Sequence, residues 1–450
     1  MLRRRWDESG VVLCSIWPRQ ASAPTIVFWQ LIAMKQICIL TLIWAAANGT
    51  PLNVAQRQGS VLSYPTPTSN LATPAVKIVA STPPPAGPGT ATWSGNPFSG
   101  VSLWANSYYA SEVSASAIPS LSPAMASKAA EVAKVPSFMW LDTASKVPLM
   151  GQTLDDIRKA NQAGGNYAGI FVVYDLPNRD CAAAASNGEY SVDDDGLDHY
   201  KAYIDSIVAQ VTNHSDILNI LVIEPDSLAN LVTNLNDQKC QQGQDAYMAG
   251  VAYAISQLNL PNVAMYLDAG HAGWLGWDAN IQPAAQLFAK VWQQGGSPSQ
   301  VRGLATNVAN YNAWTISSAP SYTQGDKNYD EKLYINALAP MLTQSGFPAH
   351  FIIDTSRNGV QPTKQNQWGD WCNLIGTGFG VRPTTDTGDP LADAFVWVKP
   401  GGECDGTSNS SAPRYDYHCA SADALQPAPQ AGTWFEAYFE QLLTNANPPF

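Results

Sequence analysis

Seven short apolar runs, each followed by a longer stretch, dominate the chain from residue 137 to residue 400. They are SFMWL at 137–141, GIFVVYD at 169–175, NILVIEP at 219–225, NVAMYLDAG at 262–270, GLATNVAN at 303–310, HFIID at 350–354 and AFVWVKP at 394–400. Short runs of this kind, with little polar alternation, suit strands covered on both faces. One intervening stretch carries Tyr200, Tyr203, Ile204, Ile207, Val208 and Val211, an apolar stripe at helical spacing. Seven strands alternating with helices predict an α/β fold with a parallel sheet, either closed as a barrel or doubly wound. With 450 residues, 45% apolar and 13% charged, the chain can fill one large core, and a barrel of ordinary size would use most of it.

The ends of the runs carry the chemistry. Asp142 follows the first; Tyr174 and Asp175 close the second; Glu224 and Asp226 follow the third; Asp268 and His271 follow the fourth. Asn307 and Asn310 close the fifth, Asp354 ends the sixth, and Lys399, Glu403 and Asp405 follow the last. In a parallel barrel the strand C-termini carry the site, so the acids at 224 and 226 are expected on a rim. Each has a plainer reading. Asp226 could be a helix N-cap before SLANLV, Asp180 could pair with Arg179, and Asp268 or His271 could hold backbone donors. A polar residue at almost every strand end favours a site.

A formal charge of -12 argues against nucleic acid or an anionic membrane as partner. Fifteen Trp are present, and Trp140, Trp274, Trp277 and Trp371 fall beside the rim acids. Flat indole faces suit the C–H face of a pyranose, while carboxylates, amides and Lys satisfy its hydroxyls. The scattered His residues have no metal-ligand spacing.

The N-terminus reads as export machinery. MKQICILTLIWAAANGT from Met34 has the order of a signal peptide, with cleavage expected near position 47 and Met34 as an alternative start. The rival, a membrane anchor joining TIVFWQLIAM to that run, is interrupted by Lys35. Residues 1–48 are thus a signal region, 49–96 a Pro/Ser/Thr-rich linker or tail, and 97–450 the folded domain. Five cysteines follow the signal: Cys181, Cys240, Cys372, Cys404 and Cys419. In an exported chain they predict two disulfides and one thiol, with pairs left open. Sequons at Asn48, Asn213 and Asn409 fit that compartment.

The segments VVYDLPNRDCAAAASNGEY, LVIEPDSLANLVTN, YLDAGHAGWLGW, GLATNVANYN, QWGDWCN and WVKPGGECDGTS resemble, in order, the signature segments of glycoside hydrolase family 6 over residues 97–450. The spacing is similar to that of fungal cellobiohydrolases. The resemblance implies a distorted parallel β/α barrel of about seven strands, with the active site in a loop-roofed tunnel at the C-terminal strand ends. It also implies inverting hydrolysis of β-1,4-glucosidic bonds in cellulose and cellooligosaccharides, mainly releasing cellobiose from non-reducing ends. By the same match Asp226 is the general acid and Asp180 the carboxylate that holds its proton and stabilises the anomeric carbon. Tyr174 lies beneath the distorted sugar. Asp405 is the base candidate, acting directly or through a water chain, and Ser186 lies in the loop that positions that water.

The resemblance places Trp140, Asp142, Lys399 and Glu403 around the non-reducing side of the cut. Trp371 becomes a platform just beyond it, and Trp274 and Trp277 become platforms further along, with Asp268, His271, Asn310 and Arg357 on the same path. It pairs Cys181 with Cys240 and Cys372 with Cys419, leaving Cys404 reduced beside Asp405. No cofactor or metal is implied, and the product is expected to be a secreted, extracellular monomer without membrane association. One departure is the absence before the linker of the cysteines of a cellulose-binding module. The rivals are an endo-acting glucanase of the same family, disfavoured by the full-length roof loops, and a non-catalytic glucan-binding barrel, disfavoured by the three acids together.

Overall fold

The structure is a computed structural model that describes residues 80–450 apart from Pro88. The signal region 1–48 and residues 49–79 lie outside the described residues. Each apolar run supplies a strand, and a two-residue strand precedes them: β1 is Ser102–Leu103, β2 Met139–Leu141, β3 Tyr167–Val173, β4 Asn219–Ile223, β5 Val263–Asp268, β6 Val301–Thr306, β7 Phe351–Asp354 and β8 Ala392–Val396. All pairs are parallel, in the order β1, β3, β4, β5, β6, β7, β8, with β2 also on β3. β1 takes Tyr167 and Ala168 of β3, while β2 takes Phe171, Val172 and Val173. The two short strands therefore share one edge, and the sheet has seven positions.

The sheet curls but does not close. Among the described residues no ladder joins β8 to β2. The seam is crossed by Phe138 N–H donating to Trp397 O at 2.9 Å and by Trp140 Nε1 donating to Val398 O at 2.8 Å. A Trp indole thus stands in for part of a strand pairing, which is the distortion of this barrel.

Strand periodicity divides the core in two. Ile170, Val172, Ile220, Val222, Ala264, Tyr266, Ile352 and Val396 fill the interior. The alternate residues Phe171, Val173, Leu221, Ile223, Met265 and Leu267 face outward against the helices. The helix Gly196–Asn213 buries Tyr200, Tyr203, Ile204, Ile207 and Val211, the stripe read from its sequence. Among the described residues no helix is long and apolar enough to cross a membrane.

Residues 80–96, expected as the end of a linker, instead lie across the N-terminal ends of the strands. Ser81 N–H donates to Ser297 O at 2.8 Å, Ala91 N–H to Ser215 O at 2.8 Å, and Trp93 Nε1 to Val263 O. Trp93 packs against the barrel interior cluster. One large ring and a few ladder bonds order a stretch whose composition alone favours an extended chain.

Candidate active site

A cavity of about 850 Å³ opens at the C-terminal strand ends. Trp140, Asp142, Tyr174, Asp180, Ser186, Asp226, His271, Trp274, Asn310, Trp371, Lys399, Glu403 and Asp405 all line it. Three residues expected on the path do not. Asp268 stands behind Asp226, Arg357 is fully buried behind Asp405, and Trp277 lies outside the lining with its ring centroid 5.9 Å from that of Trp368.

The turn after β4 explains how a buried strand delivers an acid. Glu224 and Asp226 both have positive φ, 51° and 59°, a conformation Asp tolerates better than most residues. Glu224 is fully buried rather than on the rim expected for it, and its carboxylate accepts Asp175 N–H at 3.1 Å and Leu176 N–H at 3.4 Å. Ser227 Oγ donates to Glu224 O at 2.6 Å. Glu224 therefore braces the turn, and Asp226 projects. The helix Leu228–Thr233 begins after Ser227 as its N-cap, without a side-chain cap, so Asp226 has no capping role.

Asp180, at φ 46°, is brought up by covalent and ionic anchors. The disulfide Cys181–Cys240 ties the next residue to the helix Gln238–Gln257. That tie sets Lys239 beneath the loop, where its Nζ donates to Arg179 O at 2.9 Å and to Asp180 O at 3.4 Å. Arg179 does not pair with Asp180. Its guanidinium donates to Tyr174 O and Asp142 O, both at 2.7 Å, and lies 4.2 Å from the Tyr174 ring centroid. Trp140 meets the same Tyr174 edge-on at 5.0 Å.

Burial, then the charges of Asp180, Asp268 and Asp405, hold the Asp226 carboxyl well above the usual carboxylate range. Burial also raises Asp180, to about 6, against the opposing effects of Lys239, Ser186, Asn230 and Arg179. Asp268 is pushed by burial to about 7; it accepts Asp226 N–H and Gly270 N–H, each at 3.1 Å. The reading of Asp268 as a holder of backbone donors is therefore its structural role. Burial keeps His271 neutral, its pKa lowered to about 3.

Asp405 is built differently. Arg357 Nη1 lies 2.8 Å from both its oxygens, and Oδ2 also accepts Tyr311 Oη–H and Asn373 N–H, each at 2.9 Å. Lys399 Nζ is 3.9 Å from Oδ1 and equally 3.9 Å from Glu403 Oε2.

Two loops cover the cavity. Ala184 N–H donates to Asp416 Oδ2 at 3.0 Å, and Arg414 Nε donates to Ala185 O at 2.9 Å, so loop 176–195 is joined to loop 407–430. The disulfide Cys372–Cys419 fixes the second loop, and Cys404 is a buried free thiol. A Cβ on Gly406 would meet Cys419 Sγ at 2.6 Å and Ala185 Cβ at 2.8 Å, so only glycine lets the chain pass here.

Several lining groups were not found from the sequence: Tyr108, Lys146, Asn230, Asn234, Arg414, Tyr417 and His418. Lys146 had a signal, four residues after Asp142, and its Nζ reaches Asp142 Oδ1 at 2.7 Å.

Residues 98–446 match the family model described as glycosyl hydrolases family 6. The chain is 71% identical over 359 residues to a probable 1,4-beta-D-glucan cellobiohydrolase C of Aspergillus fumigatus, covering 79% of each chain. It is 70% identical over 368 residues to exoglucanase 2 of Hypocrea jecorina, covering 82% of this chain and 78% of that protein. The solved catalytic core of the cellobiohydrolase Cel6A from Chaetomium thermophilum superposes with a TM-score of 0.79 at 66% identity, covering 79% of this chain and all (100%) of that one. Cellobiohydrolase II (Cel6A) of Humicola insolens, solved with glucose and cellotetraose, gives 0.78 at 62% identity, again covering 79% of this chain and 100% of that one. Fold, rim chemistry and these matches agree: the chain belongs to the glycosyl hydrolases of family 6.

Proposed function

We propose that this chain is a secreted cellobiohydrolase that cleaves β-1,4-glucosidic bonds of cellulose and cellooligosaccharides with inversion, releasing mainly cellobiose from non-reducing ends. The observation that carries the reading is the unequal treatment of two acids lining one cavity. Asp226 is buried among other acids, which favours its protonated form; Asp405 is ion-paired with Arg357. Inversion needs a protonated acid at the leaving oxygen and a base across the ring, about 6.5–9.5 Å away, with water between.

Asp226 protonates the departing glycosidic oxygen. Asp180, in contact range of the same centre, offsets positive charge growing at the anomeric carbon. At Asp405, Arg357 reaches both oxygens, but Oδ2 also accepts from Tyr311 and Asn373, so Oδ1 is the oxygen with more capacity to orient the attacking water. Tyr174 and Trp140 form a floor at right angles, and Trp371 and Trp274 offer faces to the sugars beyond the cut. The joined roof loops support exo action, and the two disulfides support an oxidising, extracellular compartment.

Cellotetraose hydrolysis followed by proton NMR before mutarotation tests this directly. The new reducing end should appear as the α-anomer, with cellobiose as the main product. First appearance of the β-anomer would overturn inversion, and an even spread of products would overturn the exo assignment.

A further inference from the structure

Asn230 occupies a position that the proposed chemistry leaves unexplained. It is 1% exposed, in the helix Leu228–Thr233, and its amide Nδ2 faces two acceptors: the main-chain O of Asp226 and, at 3.4 Å, Oδ1 of Asp180. A carbonyl and a carboxylate can only accept, so the amide orientation is settled, with NH2 toward the acids. Its Oδ1 then points the other way and accepts Nδ2 of Asn234 at 2.6 Å. Asn234 lines the cavity one turn further on.

We propose that Asn230, locked in orientation by Asn234, is a positioning residue that keeps the two acids unequal, donating to the Asp180 carboxylate while holding the backbone of Asp226. The inference rests on the reading of Asp226 as proton donor. Two close carboxyls sharing one proton could place it on either. A donor aimed at Asp180 favours charge there, so the proton resides on Asp226, where the leaving oxygen needs it. The same amide grips the carbonyl of a residue at φ 59°, so one side chain fixes both the place and the charge of the pair. Other groups face Asp180 as well: Lys239 and Tyr247 from the helix Gln238–Gln257, Arg179 and Ser186 from its own loop, Tyr174 at the end of β3, and Asp226 and Asp268 from the turns after β4 and β5. Asn230 is distinct in bonding to both partners of the pair.

The test is the pH profile of kcat/KM on cellotetraose and on β-cellobiosyl fluoride, whose leaving group needs no proton. In Asn230→Ala the acid limb, where Asp180 takes a proton, should move up by about 1 pH unit on both substrates, the size of one lost charge-assisted bond. The alkaline limb on cellotetraose should move by less than a third of that. Asn234→Ala should shift the acid limb the same way by a smaller amount, and should add nothing in the Asn230→Ala background. A merely structural role would lower the rate at every pH and leave both limbs in place; that result, in protein with native near-ultraviolet circular dichroism, overturns the proposal. So does an Asn234→Ala shift that persists undiminished without Asn230. If Asn230→Ala does not fold, Asn234→Ala alone decides, since an unmoved acid limb there removes the lock. Failure of the donor reading looks different: the wild-type enzyme would then keep its alkaline limb on the fluoride.

Discussion

Asp226 and Asp405 face one cavity from the ends of β4 and β8, and their surroundings are opposites. Around Asp226 stand other carboxylates, Asp180, Asp268 and Asp405, with the Lys399 ammonium opposing them. Around Asp405 stand Arg357, Lys399, the Tyr311 hydroxyl and a main-chain N–H. The same side chain thus stands among other acids on one wall and against cations and hydrogen-bond donors on the other. On the proposed reading, the partner set each strand end brings is what lets one residue type serve as acid on one wall and base on the other.

The comparison breaks most visibly under substitution of the two acids. Asp226→Asn should lower cellooligosaccharide hydrolysis by roughly 100- to 10,000-fold, the usual worth of general acid help, while retaining much of the activity on β-cellobiosyl fluoride. Asp405→Asn should depress both. Parallel loss of both substrates in folded Asp226→Asn would return the two walls to the same role.

Stability should separate them next. Arg357→Met leaves Asp405 buried without its main countercharge, and such a broken pair costs about 3–5 kcal/mol. Asp180→Asn removes a charge from a repulsive cluster, so its melting temperature at pH 7 should equal or exceed the parent's. It should also move the alkaline limb on cellooligosaccharides to lower pH, because deleting a neighbouring negative charge lets Asp226 lose its proton sooner. Calorimetry that found Arg357→Met neutral, or Asp180→Asn strongly destabilising, would erase the contrast.

The last effect is read as a slope rather than as a loss. Burial raises Asp175 to about 9, Glu112 to about 8, Glu224 and Asp268 to about 7 and Asp180 to about 6, against roughly 4 for carboxyls of an unfolded chain. Between those values these five groups bind more protons in the folded chain than in the unfolded one, so their contribution to stability is present in full below pH ~4 and declines as pH rises toward ~9. The melting temperature should fall steadily from pH 5 to pH 8. A flat or rising profile would mean that these acids are better solvated, and better paired, than their burial indicates.

Much of this was legible in the sequence where the physics is local. The seven apolar runs lie where β2 to β8 form, and the stripe from Tyr200 to Val211 is the buried face of one helix. Glu224 shows the limit: beside Asp226 it reads as a rim acid, yet a reach of 49 residues to the Asp175 N–H makes it a brace. Lys239 beneath Asp180 depends on a disulfide spanning 59 residues, and Arg414 on a carbonyl 229 positions away. Residues 80–96 read as linker because Pro and Thr outweigh one Trp in composition, whereas in the fold Trp93 packs against the interior cluster and main-chain bonds from Ser81 and Ala91 hold the segment. Spacing along the chain carries no record of such meetings.

The hydrogen bonds that join Ala184 to Asp416 and Arg414 to Ala185 turn the cover over the site into a hoop. A linear polymer inside a hoop is threaded, as a bead is on a wire. It escapes only by sliding past an end or when the hoop parts, so the time it stays grows with its length and with the strength of those joins. On an open bench the same polymer would lift off as soon as its individual contacts let go. On the proposed reading, grip and residence fall to different parts of the protein: the aromatic and charged walls would set how firmly each sugar is held, and a few atoms in the cover would set how long the thread remains in the needle.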